Sequence, residues 1–163
     1  MQNVLVNPAS VSSANRQAAR PALLKAVLGG FVGTAVMTMM MYFVAPMMLG
    51  KPMDVAALLG SVLGGSWLLG MLMHFINGSI IFPFIYVYLA YQFLPGKPWL
   101  KGTLLGISLW LLSQAVVTPM MGGGFFSANS GGLMAVMASL MGHIIYGALL
   151  GGLGGTAEPV RHR

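Results

Sequence analysis

Met73-His74-Phe75-Ile76-Asn77-Gly78 lies inside a long run, Val55 to Leu94, that contains no Asp, Glu, Lys or Arg. Gly142-His143-Ile144-Ile145-Tyr146-Gly147 repeats the arrangement inside a second such run, Gly102 to Ala157, again with histidine four residues before glycine. A third run, Ala26 to Gly50, is also free of charge. A helix rises about 1.5 Å per residue, so about 20 apolar residues cross the roughly 30 Å of hydrocarbon in a bilayer. The runs therefore predict four spans, at about 22–48, 67–93, 99–118 and 133–155. Composition agrees: 57% of the 163 residues are apolar and 6% are charged, against about 25% charged in soluble domains. The expected fold class is all-α, an integral membrane four-helix up-down-up-down bundle over residues 21–157. A mobile polar tail precedes it at 1–20 and a short one follows at 158–163.

The placement of charge orients the helices. Arg16, Arg20 and Lys25 precede the first span, Lys97 and Lys101 lie between spans two and three, and Arg161 and Arg163 follow span four. Only Lys51 lies in an odd-numbered loop, so the positive-inside rule places both termini in the cytoplasm. The first apolar run is much longer than the h-region of a cleavable signal and is expected to stay as an anchored helix. The net charge of +6 thus reflects topology; the expected partners are the lipid bilayer and other membrane subunits, with no nucleic acid. The chain has no cysteine, which excludes disulfides, iron–sulfur ligation and a thiol nucleophile.

Several residues predict local structure. Gly29 and Gly33 form a small-xxx-small pair for close helix packing. Pro46 and Pro83 are expected to kink or end their helices. Asp54 is placed to cap a short interfacial segment at about 54–64. Gln114 predicts an interhelical hydrogen bond, the glycine-rich stretch 122–132 predicts a flexible loop, and His162 is expected to be solvated in the tail. Leu24-Lys25 and Leu100-Lys101, Pro46-Met47-Met48 and Pro119-Met120-Met121, and the two His-x-x-x-Gly units recur in order. The recurrence points to a duplicated helical hairpin related by an axis along the membrane normal.

An ionisable side chain inside a span is costly and marks a functional site by default. If helices two and four sit diagonally across the bundle, His74 and His143 could face each other. Two such imidazoles would supply the axial nitrogens of a b-type haem, with Gly70, Gly78 and Gly147 leaving room for the ring and Ser139, four residues before His143, orienting its imidazole. This arrangement resembles b-type cytochromes, whose ligands lie on the second and fourth helices of a bundle. That resemblance is architectural, and the four-histidine pattern of two-haem proteins is absent. Copper is the alternative metal, because thioethers and imidazoles suit Cu(I) and ten methionines fall in the outer half: Met47, Met48, Met53, Met71, Met73, Met120, Met121, Met134, Met137 and Met141. Methionine is equally a packing residue, and both histidines could simply bond within the bundle, leaving a structural scaffold subunit. No carboxylate pair, Ser-His-Asp set, phosphate loop or zinc signature is present, so an enzyme in its own right is not expected.

Gly33-Thr34, Met37-Thr38, Pro46, Gly50-x-Pro52-x-Asp54, His74, Gly78, Pro119, Gly122-Gly123-Gly124, His143 and Tyr146-Gly147 resemble the pattern of a family of small four-helix bacterial membrane proteins of unknown function. The resemblance implies an inner-membrane location and association with a respiratory complex, as an accessory subunit. It implies no activity.

Overall fold

The computed structural model describes residues 21–155; the tails expected at 1–20 and 158–163 lie outside them, as do residues 156 and 157. All regular structure among the described residues is helical, and four helices are long and apolar enough to cross a membrane: α1 Leu23–Leu49, α3 Trp67–Phe93, α4 Pro98–Met120 and α5 Gly132–Gly154. A short α2, Val55–Gly60, separates α1 from α3. The chain is a multi-pass membrane protein whose apolar side chains face lipid: Leu24, Phe43, Leu68 and Phe93 are each more than 70% exposed. At about 1.5 Å per residue the 27 residues of α1 extend about 40 Å, enough to cross with tilt.

Three prolines sit inside spans without breaking them. The residue before each proline donates its N–H five residues back: Ala45 to Met40, Phe82 to Asn77 and Thr118 to Ser113. The wide π turn relieves the clash between the proline ring and the preceding turn, so the helix runs on. Thus α1 continues through Pro46 to Leu49, and α4 passes Pro119 to end at Met120, two residues beyond the expected end at Thr118.

Glycines bring the helices together. α5 lies between α1 and α4: a Cβ on Gly102 would land on the Gly147 carbonyl, one on Gly106 on the His143 carbonyl, and one on Gly29 would meet the Leu150 carbonyl at 3.0 Å. These pairings run antiparallel, as does that of α1 with α3, where Gly78 packs on Thr34. α3 and α4 meet at the end nearest the termini, where the Tyr86 hydroxyl donates to the Pro98 carbonyl at 3.0 Å. There Lys101 Nζ also donates to the Tyr91 carbonyl at 2.6 Å and lies over the Tyr91 ring. Toward the other end α3 and α4 separate.

Candidate ligand cavity between the helices

A cavity of about 390 Å³ fills the space where α3 and α4 separate, within the range of small-molecule sites. Thr34, Met37 and Met41 of α1, His74, Asn77 and Phe82 of α3, Leu109, Gln114 and Thr118 of α4, and Ser139, His143 and Tyr146 of α5 form its walls. Its roof is made by Lys51, Met53, Asp54 and Leu58, with Ser127 and Ser130 of the second loop. Both histidines therefore line one cavity.

The hydrogen bonds of the two rings fix their tautomers. His143 Nδ1 is 2.8 Å from the Ser139 carbonyl, which can only accept, so Nδ1 carries the proton and Nε2 keeps a lone pair. His74 Nε2 is 3.1 Å from Thr38 Oγ1, and the Thr38 hydroxyl donates its single proton to the Thr34 carbonyl at 2.8 Å. Both bonds are satisfied together only if His74 Nε2–H donates to Thr38, which leaves the lone pair on Nδ1. Neither remaining nitrogen has a partner among the described residues, neither is fully buried, and both residues line the cavity.

Other polar groups divide into engaged and unengaged. Gln114, 3% exposed, donates through Nε2 to Ser139 Oγ at 3.3 Å and accepts from the Ser127 hydroxyl at 2.7 Å. This is the interhelical bond expected of Gln114, and it also ties down the loop that its glycines predicted to be flexible. Ser127 and Phe126 hold positive φ there, 57° and 48°, and the Phe126 ring packs on Trp110 at 6.1 Å. The wide turns release the carbonyl five residues before each proline. Met41 O accepts from Met53 N–H at 3.1 Å, drawing the roof inward, and Gly78 O accepts from the Tyr146 hydroxyl at 2.7 Å. Asn77 and Thr118 line the cavity, yet their side chains have no hydrogen-bond partner among the described residues.

The roof is pinned by Asp54. Its carboxylate caps α2 by accepting from Ala57 N–H at 2.8 Å, as expected, and also accepts from the Tyr42 hydroxyl at 2.7 Å and the Trp67 indole at 3.1 Å. Burial opposes its charge, but the bonds from Ala57, Tyr42, Trp67 and Ala56 outweigh that and hold it below the ordinary aspartate value.

The profile of DUF6789 matches residues 21–162, nearly the whole chain. The chain belongs to this family of unknown function. No curated protein and no solved structure matches it.

Of the expected site residues, His74, His143 and Ser139 reach the cavity together with Gly78, whereas Gly70 and Gly147 do not line it. Ser139 orients His143 through its backbone carbonyl, while its hydroxyl serves Gln114. The three glycines allow helix contact: a Cβ on Gly70 would strike the Ala56 carbonyl, on Gly78 the Thr34 hydroxyl, and on Gly147 the Gly102 carbonyl. They leave no cradle for a macrocycle, and His74 offers only Nδ1, the nitrogen crowded by its own Cβ. A bis-histidine haem therefore fits on the His143 side alone. Of the ten outer methionines only Met53 lines the cavity, joined by Met37 and Met41, which are not among the ten; Met47 and Met120 are 87% and 75% exposed. Among the described residues no cluster of three or more His, Cys, Asp or Glu could hold a metal. Thr38, Asn77 and Thr118 were not among the expected site residues. The usable signal was helical spacing: Asn77 follows His74 by three residues and Thr118 follows Gln114 by four, so each shares a face with a polar neighbour.

Proposed function

We propose that this chain is a small-molecule-binding membrane subunit, holding a largely apolar ligand with a polar end in the cavity between α1, α3, α4 and α5. One observation carries the reading: His74, Asn77, Thr118 and His143 all line one cavity, and His74 Nδ1, His143 Nε2, the Asn77 amide and the Thr118 hydroxyl have no hydrogen-bond partner among the described residues. A polar group left unpaired in apolar surroundings costs about 1–3 kcal/mol, so a complementary molecule would be bound there. In this reading the four spans form an up-down-up-down bundle in a bacterial inner membrane, with both termini cytoplasmic, as the seven cations on one side support. The chain serves a larger, respiratory assembly as the accessory subunit that holds the ligand.

Haem held by His143 alone is a second reading, favoured by the Nδ1–H of His143 bonded to a carbonyl, the usual way a ligating histidine is oriented. Melting curves of the detergent-purified protein with and without a lipid-soluble membrane extract test the main reading. A binding molecule raises the wild-type Tm and leaves an Asn77→Leu/Thr118→Leu variant unmoved; identical shifts in both would refute the site. A reduced-minus-oxidised visible spectrum of the same preparation decides on haem, whose sharp α-band must vanish in His143→Ala.

A further inference from the structure

The polar groups of the cavity do more than attract a ligand, because their hydrogen positions are locked. His143 Nδ1–H is held by a carbonyl, and His74 Nε2–H by a hydroxyl whose own proton is committed to the Thr34 carbonyl. Neither ring can move its proton to the other nitrogen without losing its bond to the helices. Each ring therefore keeps one unpaired lone pair, His74 on α3 and His143 on α5, and both residues line the cavity. A complementary ligand must supply two hydrogen donors. Beside the histidines the ligand must be neutral: the charged residues of the lining are Lys51 and Asp54, both in the roof loop, and Asp54 already accepts from three partners. A phosphate or an ammonium group lying between the two imidazoles would have no counter-charge in the helix walls. The other lining side chains are mostly apolar, and the cavity has the volume of a substituted ring. Asn77 and Thr118 add donors, which suit oxygens that also accept.

We infer that the cavity is built for a membrane-soluble quinol, a ring whose two hydroxyls donate to His74 Nδ1 and His143 Nε2, and that it discriminates against the corresponding quinone. The quinone has the same size and apolarity but only lone pairs at its two oxygens, so it would set lone pair against lone pair at both histidines. This inference rests on the ligand-cavity reading above and names its ligand class. A monohydroxy lipid would satisfy one imidazole and leave the other unpaired.

The test is equilibrium gel filtration of the full-length detergent-solubilised protein with duroquinol, kept reduced under anaerobic conditions, and separately with duroquinone. Two net hydrogen bonds predict that the quinol binds about 10- to 30-fold more tightly. His74→Phe and His143→Phe should each lower that preference several-fold. Thr38→Val, which frees the His74 tautomer without removing the ring, should raise quinone affinity, a change that a merely structural role for Thr38 would not produce. Equal binding of the two forms, or tighter quinone binding, overturns the quinol assignment and leaves the ligand cavity standing. Binding of neither, in protein whose Tm still rises with membrane extract, also overturns the assignment alone; binding of neither with no rise overturns both.

Discussion

Ser79 and Asn77 lie two residues apart in α3 and illustrate opposite fates of a polar group in a membrane. The Ser79 hydroxyl is sealed with no partner among the described residues, and it does not line the cavity. Its removal should stabilise the fold: Ser79→Ala is expected to add about 1 kcal/mol, read as a higher melting temperature in detergent. Asn77 is equally unpaired but opens onto the cavity, so its replacement should cost ligand rather than fold. Asp54 sets a pH dependence at the same scale. Its folded-state pKa lies below the unfolded value of 3.8, so its contribution to stability is present above 3.8 and is lost as pH falls through the folded value. The Tm gap between wild type and Asp54→Asn should therefore be full at neutral pH and close below about pH 3.8; a gap that widens on acidification would contradict the assignment.

Among the helices, the seam of α4 with α5 depends on glycine, because backbone touches backbone at Gly102, Gly106, Gly147 and Gly151. Gly102→Leu should destabilise by at least about 2 kcal/mol, since no side-chain shift can make room against a carbonyl. Gly152 is the control: it is exposed, its nearest neighbour would be the Trp99 Cβ at 3.9 Å, and Gly152→Ala should be neutral or stabilising. Denaturation by sodium dodecyl sulfate compares the two. Most of this level was legible in the sequence. Uninterrupted apolar runs placed the four spans within about two residues, and four-residue glycine spacing marked the seams. The prolines were half legible. Pro46, Pro83 and Pro119 announced an irregularity, but one wide turn absorbing each is a matter of backbone relaxation that no residue type encodes. The suspected duplication shows the same limit: Pro46 and Pro119 share the wide turn, whereas His74 bonds across to α1 and His143 bonds within its own helix.

For the whole molecule, the histidines were legible as a candidate site because ionisable groups are rare in spans, but the shape of the cavity they line was not. Whether Gly70, Gly78 and Gly147 open space or close it depends on which helix lies opposite, and pairing is a property of the assembled fold. The cavity arises because α3 and α4 meet at one end and the Asp54 roof closes the other. Its unpaired polar groups belong to three helices, α3, α4 and α5, and that state emerges only when the helices are packed with α1. The central claim is that this cavity holds a small molecule. Native mass spectrometry of the protein released from its own membrane tests it most directly, with Asn77→Leu/Thr118→Leu as the comparison. The account predicts a non-covalent adduct of small-molecule mass on the wild type that is absent from the variant. A wild type that appears only as the bare chain, or an adduct that persists unchanged in the variant, would contradict it.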